Sequence, residues 1–300
     1  MKFSFRYYLL KCISFFVCLL PYPLICHIGR RIGYLYFLCA TRPRNRGIDQ
    51  AMQGLDISFP EAKCIMRKSC IHLGQTLMEI LYTPALTPKN IKKYISIEGL
   101  DNLRQAVEAG RGVIAVTAHV GNWEWMPAAL FYSGFPTSSI AQPQPNPHYD
   151  RVLNEYRRMC GTQIFNRGTT DIIKAARALK QGNILGMFSD QDAGNKGVML
   201  DFMGREALTP TGAALFADKL DSAIVPIFIF HRQGGGHRLV IDKPIIYQRT
   251  GDHEQDIYNN TKAIIKVVED KIKLHPDEWI WFLKRWESAK KYHTSKEKTA

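Results

Sequence analysis

A histidine and a glutamate lie five positions apart in a segment whose residue types suit acid–base chemistry. The segment reads His119-Val-Gly-Asn-Trp-Glu124 and follows an apolar run over residues 113–117. Along one continuous helix, five residues turn a side chain by roughly 140°, so the two groups would point apart. A strand that ends before His119, a turn at Gly121 and a helix that starts near Asn122 would bring them together, because asparagine is a favoured N-cap.

These two side chains together predict a general base. A carboxylate that holds an imidazole in one tautomer makes it a competent base near neutral pH. We therefore expect Glu124 to orient His119, and His119 to remove a proton from a bound group. The spacing is equally compatible with a histidine that is satisfied at a strand end and a glutamate that stabilises a helix N-terminus. Both interpretations stay open at this point.

The composition indicates a large core and a preference for anionic partners. The chain has 300 residues, 46% of them hydrophobic, which is enough for one large α/β domain or two smaller ones. Its 40 Lys and Arg residues exceed 27 Asp and Glu residues, and the net charge of +13 favours lipid headgroups, nucleic acid or an acidic carrier protein. The basic residues are spread out, and no long basic run or zinc-finger spacing occurs, so no nucleic-acid partner is predicted.

The cysteines indicate a reducing compartment. There are 7, an odd number, and no Cys-x-x-Cys pair occurs. This usage favours buried thiols over a disulfide framework or a zinc site.

Residues 1–40 are hydrophobic and predict a membrane anchor. Residues 12–29 contain no Asp, Glu, Lys or Arg, and this length is close to the roughly 20 apolar residues that span a bilayer. Pro21 and Pro23 interrupt the stretch, and no cleavage site is evident, so we expect an uncleaved helical anchor that spans the membrane or lies in its interface. The alternative is a buried pair of amphipathic helices in a soluble protein. The basic cluster at 30–46 would keep the rest of the protein on the cytoplasmic side.

Residues 41–290 are expected to form a single domain, followed by a polar tail over 291–300. Helical periodicity dominates up to residue 90, and from residue 94 short apolar runs alternate with amphipathic segments. This alternation predicts an α/β fold with a mixed β-sheet flanked by helices on both faces. Strands are expected over 94–97, 113–117, 137–141, 162–165, 183–188, 198–202, 223–230 and 238–241. Ligands bind at the carboxyl ends of strands in such sheets, where His119 and Asp190 lie.

Several motifs follow one another in a fixed order along the chain. They are His-x4-Glu at 119–124, Ser-Asp-Gln-Asp at 189–192, Phe-Met-Gly-Arg at 202–205, Thr-Pro-Thr-Gly-Ala at 209–213, Val-Pro at 225–226 and His-Pro-Asp-Glu-Trp at 275–279. Their order and spacing over roughly 94–286, with the hydrophobic start, resemble the bacterial lipid A biosynthesis (lauroyl/myristoyl) acyltransferases, within the glycerolipid acyltransferase superfamily. The resemblance implies an α/β acyltransferase domain on the cytoplasmic face of the cell inner membrane.

The resemblance also implies a reaction. A fatty acyl chain would move from a thioester of acyl carrier protein or CoA to a hydroxyl of a lipid A precursor or related glycolipid, with no metal or organic cofactor. His119 would take the hydroxyl proton, and Glu124 would orient His119 and stabilise the imidazolium. A base alone supplies only ~10²–10⁴-fold, so a further group must stabilise the carbonyl oxygen. The alternatives are a lysophospholipid or other lipid acceptor and a non-catalytic basic membrane-surface protein.

Six further residues are predicted to bind substrate. They are Arg157, Arg167, Asp190, Gly204, Arg205 and Thr211. Arg157 lies four residues before Gly161, as in an Arg-x3-Gly segment of the resembled family. Arg167 lies at a turn where a phosphate could bind, and Gly204-Arg205 with the Thr209 and Thr211 hydroxyls could hold an anionic headgroup. Ordinary N-capping is the alternative for these hydroxyls and is favoured for Thr209.

Asp190 ends an apolar strand, where a carboxylate needs a partner. Arg167 could be this partner, or Asp190 could simply cap a loop. A metal ion shared by Asp190 and Asp192 is a weaker alternative, because the other ligands of a calcium-binding loop are missing. Relatives carry an arginine where this chain has Gln142, which leaves the identity of the acceptor open.

Overall fold

The computed structural model describes the backbone of residues 5–166 and 170–297, with side chains described as far as residue 294. Four helices come first in the chain: α1 (Phe5–Leu19), α2 (Tyr22–Cys39), α3 (Thr41–Leu55) and α4 (Phe59–Tyr82). The later helices are α5 (Ile91–Tyr94), α6 (Leu100–Glu108), α7 (Met126–Tyr132), α8 (Pro147–Met159), α9 (Asp171–Lys180), α10 (Gly212–Leu220), α11 (His253–Leu274) and α12 (Glu287–Glu297).

Seven strands form one sheet and two form a separate hairpin. The strands are β1 (Ile95–Glu98), β2 (Val113–Thr117), β3 (Thr137–Ala141), β4 (Gln163–Asn166), β5 (Ile184–Phe188), β6 (Val198–Asp201), β7 (Glu206–Thr209), β8 (Ala223–His231) and β9 (His237–Ile241). The large sheet has the order β1-β9-β8-β2-β5-β3-β4, and β6 pairs with β7. All neighbours in the large sheet run parallel except β8 and β9, which are antiparallel.

The sheet is covered by helices on both faces, as the alternation of strands and helices predicts. In β2, Val113 and Ala115 join a core that includes Leu103 of α6 and Leu130 of α7. The intervening Ile114 and Val116 of the same strand join a second core with Leu179 of α9 and residues of α10 and α11. Successive side chains of a strand point to opposite faces, so a strand that is apolar throughout must be covered on both. The predicted α/β class with a mixed sheet is confirmed.

The hydrophobic start forms two helices instead of one. Pro21 separates α1 from α2, and α2 packs closely on α4, where a Cβ added to Gly33 would lie 2.1 Å from the carbonyl oxygen of Cys70. Phe15, Phe16 and other apolar side chains of the pair remain exposed. Within the described part of the chain, no helix combines the length and the apolar character that crossing a bilayer requires.

Two segments near the predicted site and at the carboxyl end differ from their expected form. The helix expected to begin near Asn122 begins at Met126, since residues 123–125 form a turn first. Helix α12 extends through Glu297, within the stretch that was expected to be a polar tail. All 7 cysteines lie among the described residues and are free thiols. The expectation that they are buried is wrong for Cys12 and Cys39, which are exposed, and holds for Cys26, Cys70 and Cys160.

Candidate active site

His119 is held by Asp190 through two hydrogen bonds. Its Nδ1 lies 2.9 Å from Asp190 Oδ1, and its backbone N–H donates to Asp190 Oδ2 at 2.8 Å. Since a carboxylate at Nδ1 holds the proton on that nitrogen, the lone pair of the neutral ring resides on Nε2. The imidazole is 15% exposed, whereas the carboxylate is completely buried. The pair therefore presents a basic Nε2 atom to whatever occupies the neighbouring space.

The register of two parallel strands produces this pair. Thr117 of β2 lies opposite Phe188 of β5 in the hydrogen-bonded ladder. His119 and Asp190 each follow their strand residue by two positions, so they leave the sheet side by side at its carboxyl edge. Both strands are buried apolar runs, and their pairing fixes the two backbones before any side-chain contact forms.

Asp190 is kept charged by its surroundings. Trp279 donates from its indole Nε1 to Asp190 Oδ2 at 2.8 Å. Burial raises the pKa of the Asp190 carboxyl, but the charge and hydrogen bonds of His119, with the indole donor, outweigh burial and hold that pKa below its usual value. Arg285 is also fully buried and acts electrostatically with Asp190, while its own N–H groups donate to Leu208 O and Thr209 Oγ1. The carboxylate is thus ready to stabilise an imidazolium.

Glu124 binds Arg157 instead of His119, which corrects the expected dyad. Its two carboxylate oxygens accept from Arg157 Nε at 2.7 Å and Nη2 at 2.5 Å, in a bidentate pair. Burial disfavours the guanidinium charge, yet the Glu124 carboxylate outweighs it, and the pKa of Arg157 is raised. The carboxylate in contact with the imidazole is that of Asp190, which lies at Nδ1 of His119. Glu124 and His119 nevertheless line the same cavity.

The turn after His119 is fixed by a glycine and an asparagine. Gly121 has φ +56°, and a Cβ there would lie 2.1 Å from the carbonyl oxygen of Ile229, so only glycine fits. Asn122 is buried, accepts from Trp125 N at 3.1 Å and donates to Glu79 Oε2 at 2.8 Å. The predicted turn at Gly121 is confirmed, and it places Glu124 on the cavity wall.

A buried network of carboxylates and imidazoles braces this turn from behind. Glu79 accepts from His237 Nε2 at 2.9 Å, and Glu278 accepts from His231 Nδ1 at 2.7 Å. The backbone carbonyl of Glu278 accepts from Gly121 N at 3.2 Å, and the next residue is Trp279, the donor to Asp190. The segment that carries Glu278 therefore connects the network to the catalytic pair.

His119 opens onto a cavity of about 600 Å³. It is lined by apolar residues of α4 and α10, by Gln191, and by Glu124 and Arg157. A narrow neighbouring cavity of about 30 Å³ shares Trp123, Glu124, Arg157 and Phe188 with it and continues between apolar residues such as Ile164 and Ile184. The ionised pair Glu124–Arg157 thus lies where the wide space meets the narrow apolar one.

The predicted substrate-binding residues fall into different places. Arg157 and Thr211 line the wide cavity, as expected for groups near a ligand. Gly204 and Arg205 lie in the β6–β7 turn, where the Arg205 guanidinium stacks 4.4 Å from the ring of Trp286, and neither lines the described cavity. Arg167 lies outside the described residues.

Asp190 is not a substrate ligand, because it is buried behind His119. The partner expected for it, Arg167, is replaced by His119 and Trp279. Asp192 accepts from Gly194 N at 2.9 Å and from Ser288 N at 2.8 Å, so it serves as a loop cap, and the alternative of a metal shared by Asp190 and Asp192 has no geometric basis among these contacts.

Two functional residues escaped the sequence reasoning. Trp279 ends the motif at 275–279, and its indole N–H donates to the Asp190 carboxylate that contacts His119. Gln191 lies 3.3 Å from His119 through their Nε2 atoms. Its position between two aspartates at a strand end is the only signal that the sequence offered, since ligands bind at such ends.

Comparison with known proteins assigns the chain to a family. The family model described as bacterial lipid A biosynthesis acyltransferase matches residues 3–288. The chain belongs to this family. It is therefore an acyltransferase.

The proteins similar to this acyltransferase carry different names. The lipid A biosynthesis palmitoleoyltransferase of Escherichia coli (strain K12) is 26% identical over 284 residues, covering 90% of this chain and 87% of the relative. The phosphatidylinositol mannoside acyltransferase of Mycolicibacterium smegmatis is 24% identical over 255 residues, covering 81% of each. A solved 1-acyl-sn-glycerophosphate acyltransferase from Thermotoga maritima aligns with 86% of this chain and 99% of its own, at 15% identity and a TM-score of 0.40.

The geometry is suited to base-catalysed acyl transfer. The lone pair on His119 Nε2 can accept a proton from a hydroxyl, and the Asp190 charge stabilises the imidazolium that results. This nitrogen lies beside the cavity of about 600 Å³, into which a substrate could bring a hydroxyl.

Proposed function

We propose that this acyltransferase moves a fatty acyl chain from an acyl thioester to a hydroxyl of a lipid A precursor or related glycolipid. The observation that carries the proposal is the His119–Asp190 pair at the edge of a cavity of about 600 Å³ with a narrow apolar continuation. Both acceptors named among its relatives are glycolipids. The same geometry could also act on a lysophospholipid hydroxyl, and the assay below tests a lysophospholipid as one of its acceptors.

In the proposed reaction His119 is the general base. Nε2 takes the hydroxyl proton as the hydroxyl oxygen attacks the thioester carbonyl carbon. Asp190 keeps the imidazole in position and stabilises its charged form through the hydrogen bond at 2.9 Å. The thiolate that leaves takes the proton back, so the base is regenerated without a cofactor.

The acyl chain is proposed to lie along the apolar wall, with its end in the narrow cavity. That cavity is lined by side chains such as Leu130, Ile164 and Ile184, with Gly186 at one wall. Its volume of about 30 Å³ leaves room for only the last atoms of a chain, so it would limit chain length. The charged Glu124–Arg157 pair lines both cavities where they meet.

The donor is proposed to be an acyl carrier protein, with acyl-CoA as the alternative. A net charge of +13 suits an acidic carrier and speeds its diffusional encounter. We predict that the rate of transfer from acyl carrier protein falls steeply as the salt concentration rises.

We further propose that α1 and α2 lie in the membrane interface on the cytoplasmic side of the inner membrane. Phe15 and Phe16 are 61% and 59% exposed, and further apolar side chains of α1 and α2 are exposed beside them. Exposed apolar groups with nearby positive charge favour insertion among anionic lipid headgroups.

The reaction is tested with purified protein, acyl carrier protein or CoA thioesters, and three acceptors: a lipid A precursor, a phosphatidylinositol mannoside and a lysophospholipid. His119→Ala should abolish transfer while the thermal midpoint stays unchanged. The matched control is His253→Ala, which removes another histidine that pairs with an aspartate, Asp218, at 3.1 Å but lies outside the cavity lining. Transfer to the lysophospholipid alone would contradict the glycolipid proposal.

The membrane proposal is tested by flotation with vesicles that contain anionic phospholipid. Phe15→Glu combined with Phe16→Glu should release the protein, whereas Ile246→Glu should not, although Ile246 is 85% exposed. Release by both changes, or by neither, would contradict binding through α1.

A further inference from the structure

Gln191 occupies the position beside the reacting nitrogen of His119. Its side-chain nitrogen lies 3.3 Å from His119 Nε2. Because Asp190 binds Nδ1, the Nε2 atom carries the lone pair, and the Gln191 amide is the donor in this contact. An acceptor hydroxyl needs the same lone pair, so the Gln191 side chain must swing aside when the hydroxyl binds.

The backbone on both sides of Gln191 is firmly held, which limits where the amide can go. Asp190 is buried and bound to His119 and Trp279, and Asp192 accepts from the backbone N–H groups of Gly194 and Ser288. The Gln191 side chain itself is exposed in the cavity. It can therefore rotate about its own bonds but remains close to the reacting atoms.

The backbone N–H groups of residues 119–121, next to the imidazole, already donate to other acceptors. His119 N donates to Asp190, Val120 N donates to Ala118 O at 2.8 Å, and Gly121 N donates to Glu278 O at 3.2 Å. Arg157 is engaged in its bidentate pair with Glu124. Gln191 is the neutral donor of the cavity already in contact with the base.

We propose that Gln191 is the oxyanion donor of this acyltransferase, an inference that rests on the proposed transfer to a hydroxyl. In the first step the hydroxyl oxygen bonds to the thioester carbon, its proton moves to His119 Nε2, and the carbonyl π electrons become an oxyanion. The displaced Gln191 amide donates to that oxyanion, which forms about 3–4 Å from Nε2 because reacting atoms lie ~3–3.5 Å apart. In the second step the carbonyl re-forms, the carbon–sulfur bond breaks, and the thiolate takes the proton from the imidazolium.

The decisive measurement is the separation of kcat from KM in Gln191→Ala. A donor that acts only on the oxyanion contributes to the transition state, so kcat should fall about 10²–10³-fold while KM for both substrates stays within about twofold. Gln181→Ala, at an exposed position outside the cavity lining, is the matched control and should leave both parameters unchanged. Equal thermal midpoints confirm that the variants are folded.

Gln191→Glu provides a second, independent readout. A carboxylate within hydrogen-bond distance of Nε2 favours the imidazolium, so the acidic limb of the kcat/KM profile should move to higher pH. A Gln191→Ala enzyme whose kcat stays within about threefold of wild type would overturn the inference, and so would a loss confined to KM. The wild type and His119→Ala report on the proposed function itself, since failure of transfer by the wild type would contradict that proposal and not the role of Gln191 alone.

Discussion

The Nδ1 atom of His119 lies 2.9 Å from Oδ1 of Asp190, a residue 71 positions later in the chain. The pairing is a consequence of strand register, because β2 and β5 are neighbours and both residues follow their strands at the same distance. The carboxylate that makes the imidazole a base is thus supplied by the sheet and not by the local motif. The predictions below follow from this arrangement and from the contacts that stabilise it.

Asp190→Asn should lower kcat about 10²–10⁴-fold with the fold retained, because an amide cannot stabilise the imidazolium and can favour the wrong tautomer. Steady-state kinetics on the purified enzyme measure the loss, and near-ultraviolet circular dichroism checks the packing around Trp279. Asp218→Asn is the matched control, since Asp218 pairs with His253 outside the cavity lining. A kcat within about threefold of wild type would show that Asp190 does not act through His119.

Trp279→Phe should lower kcat by about 10- to 100-fold, because the Asp190 carboxylate loses one charged hydrogen bond of roughly 1.5–3 kcal/mol. The aromatic ring is retained, so packing should change little. Trp281→Phe is a stringent control, as its indole donates instead to the carbonyl of Pro276. If the two variants lose activity equally, the indole of Trp279 matters only for packing.

Arg157→Met should destabilise the protein by about 3–5 kcal/mol, because it leaves the Glu124 carboxylate buried without its partner. Urea unfolding measures the change. The double variant with Glu124→Gln should recover a large part of it, since no unpaired charge then remains. Arg104→Met removes an exposed pair with Asp101 and should cost no more than about 1 kcal/mol. A double variant no more stable than Arg157→Met would contradict charge burial as the cause.

Gly186→Ala should shift the preference toward shorter acyl chains. A Cβ at Gly186 would lie 3.6 Å from the carbonyl oxygen of Ser138, an ordinary contact, so the methyl group fits without strain. It would reduce the narrow cavity of about 30 Å³. A series of thioesters of increasing length measures the effect, and the shortest chains serve as the internal control. An unchanged preference would place the end of the chain elsewhere.

The stability of the protein should fall in acid partly through Glu278. Burial raises the pKa of this carboxyl, but the charge and hydrogen bond of His231 outweigh burial and hold the pKa at about 2, below its usual value of 4.5. A carboxyl whose pKa is lower in the folded state than in the unfolded state stabilises the folded state at pH values above its unfolded pKa. The contribution of Glu278 is therefore lost as the pH falls from 4.5 toward about 2.

The contribution of His231 to the free energy of unfolding depends on pH in the opposite direction. Burial lowers the pKa of its imidazole, yet Glu278 outweighs burial and raises it above 6.5, so its contribution is lost as pH rises through that raised pKa. Glu278→Gln should therefore flatten the dependence of the free energy of unfolding at both ends of the range. Glu98→Gln, at a side chain that is 53% exposed, is the control. A Glu278→Gln profile parallel to wild type would contradict this linkage.

Local patterns in the sequence determined much of this protein. The apolar run 113–117 became a strand with those bounds, because a continuous apolar strand requires cover on both faces. The extended segment predicted over 137–141 also became a strand with those bounds. The turn at Gly121 and the position of His119 after a strand end could also be predicted, since each is determined by adjacent residues in the sequence. The ordered motifs indicated the family, and the match over residues 3–288 bears that out.

Tertiary structure alone decided which carboxylate serves His119. Within the chain Glu124 is the near candidate, but the turn directs it to Arg157 on α8. Asp190 reaches the imidazole because β5, and not the sequential neighbour β3, lies beside β2 in the sheet. Strand order depends on long-range packing, so no spacing rule along the chain could have specified it. Long-range packing also determines the contact of Trp279, whose indole binds Asp190 although the two residues are 89 positions apart in the sequence.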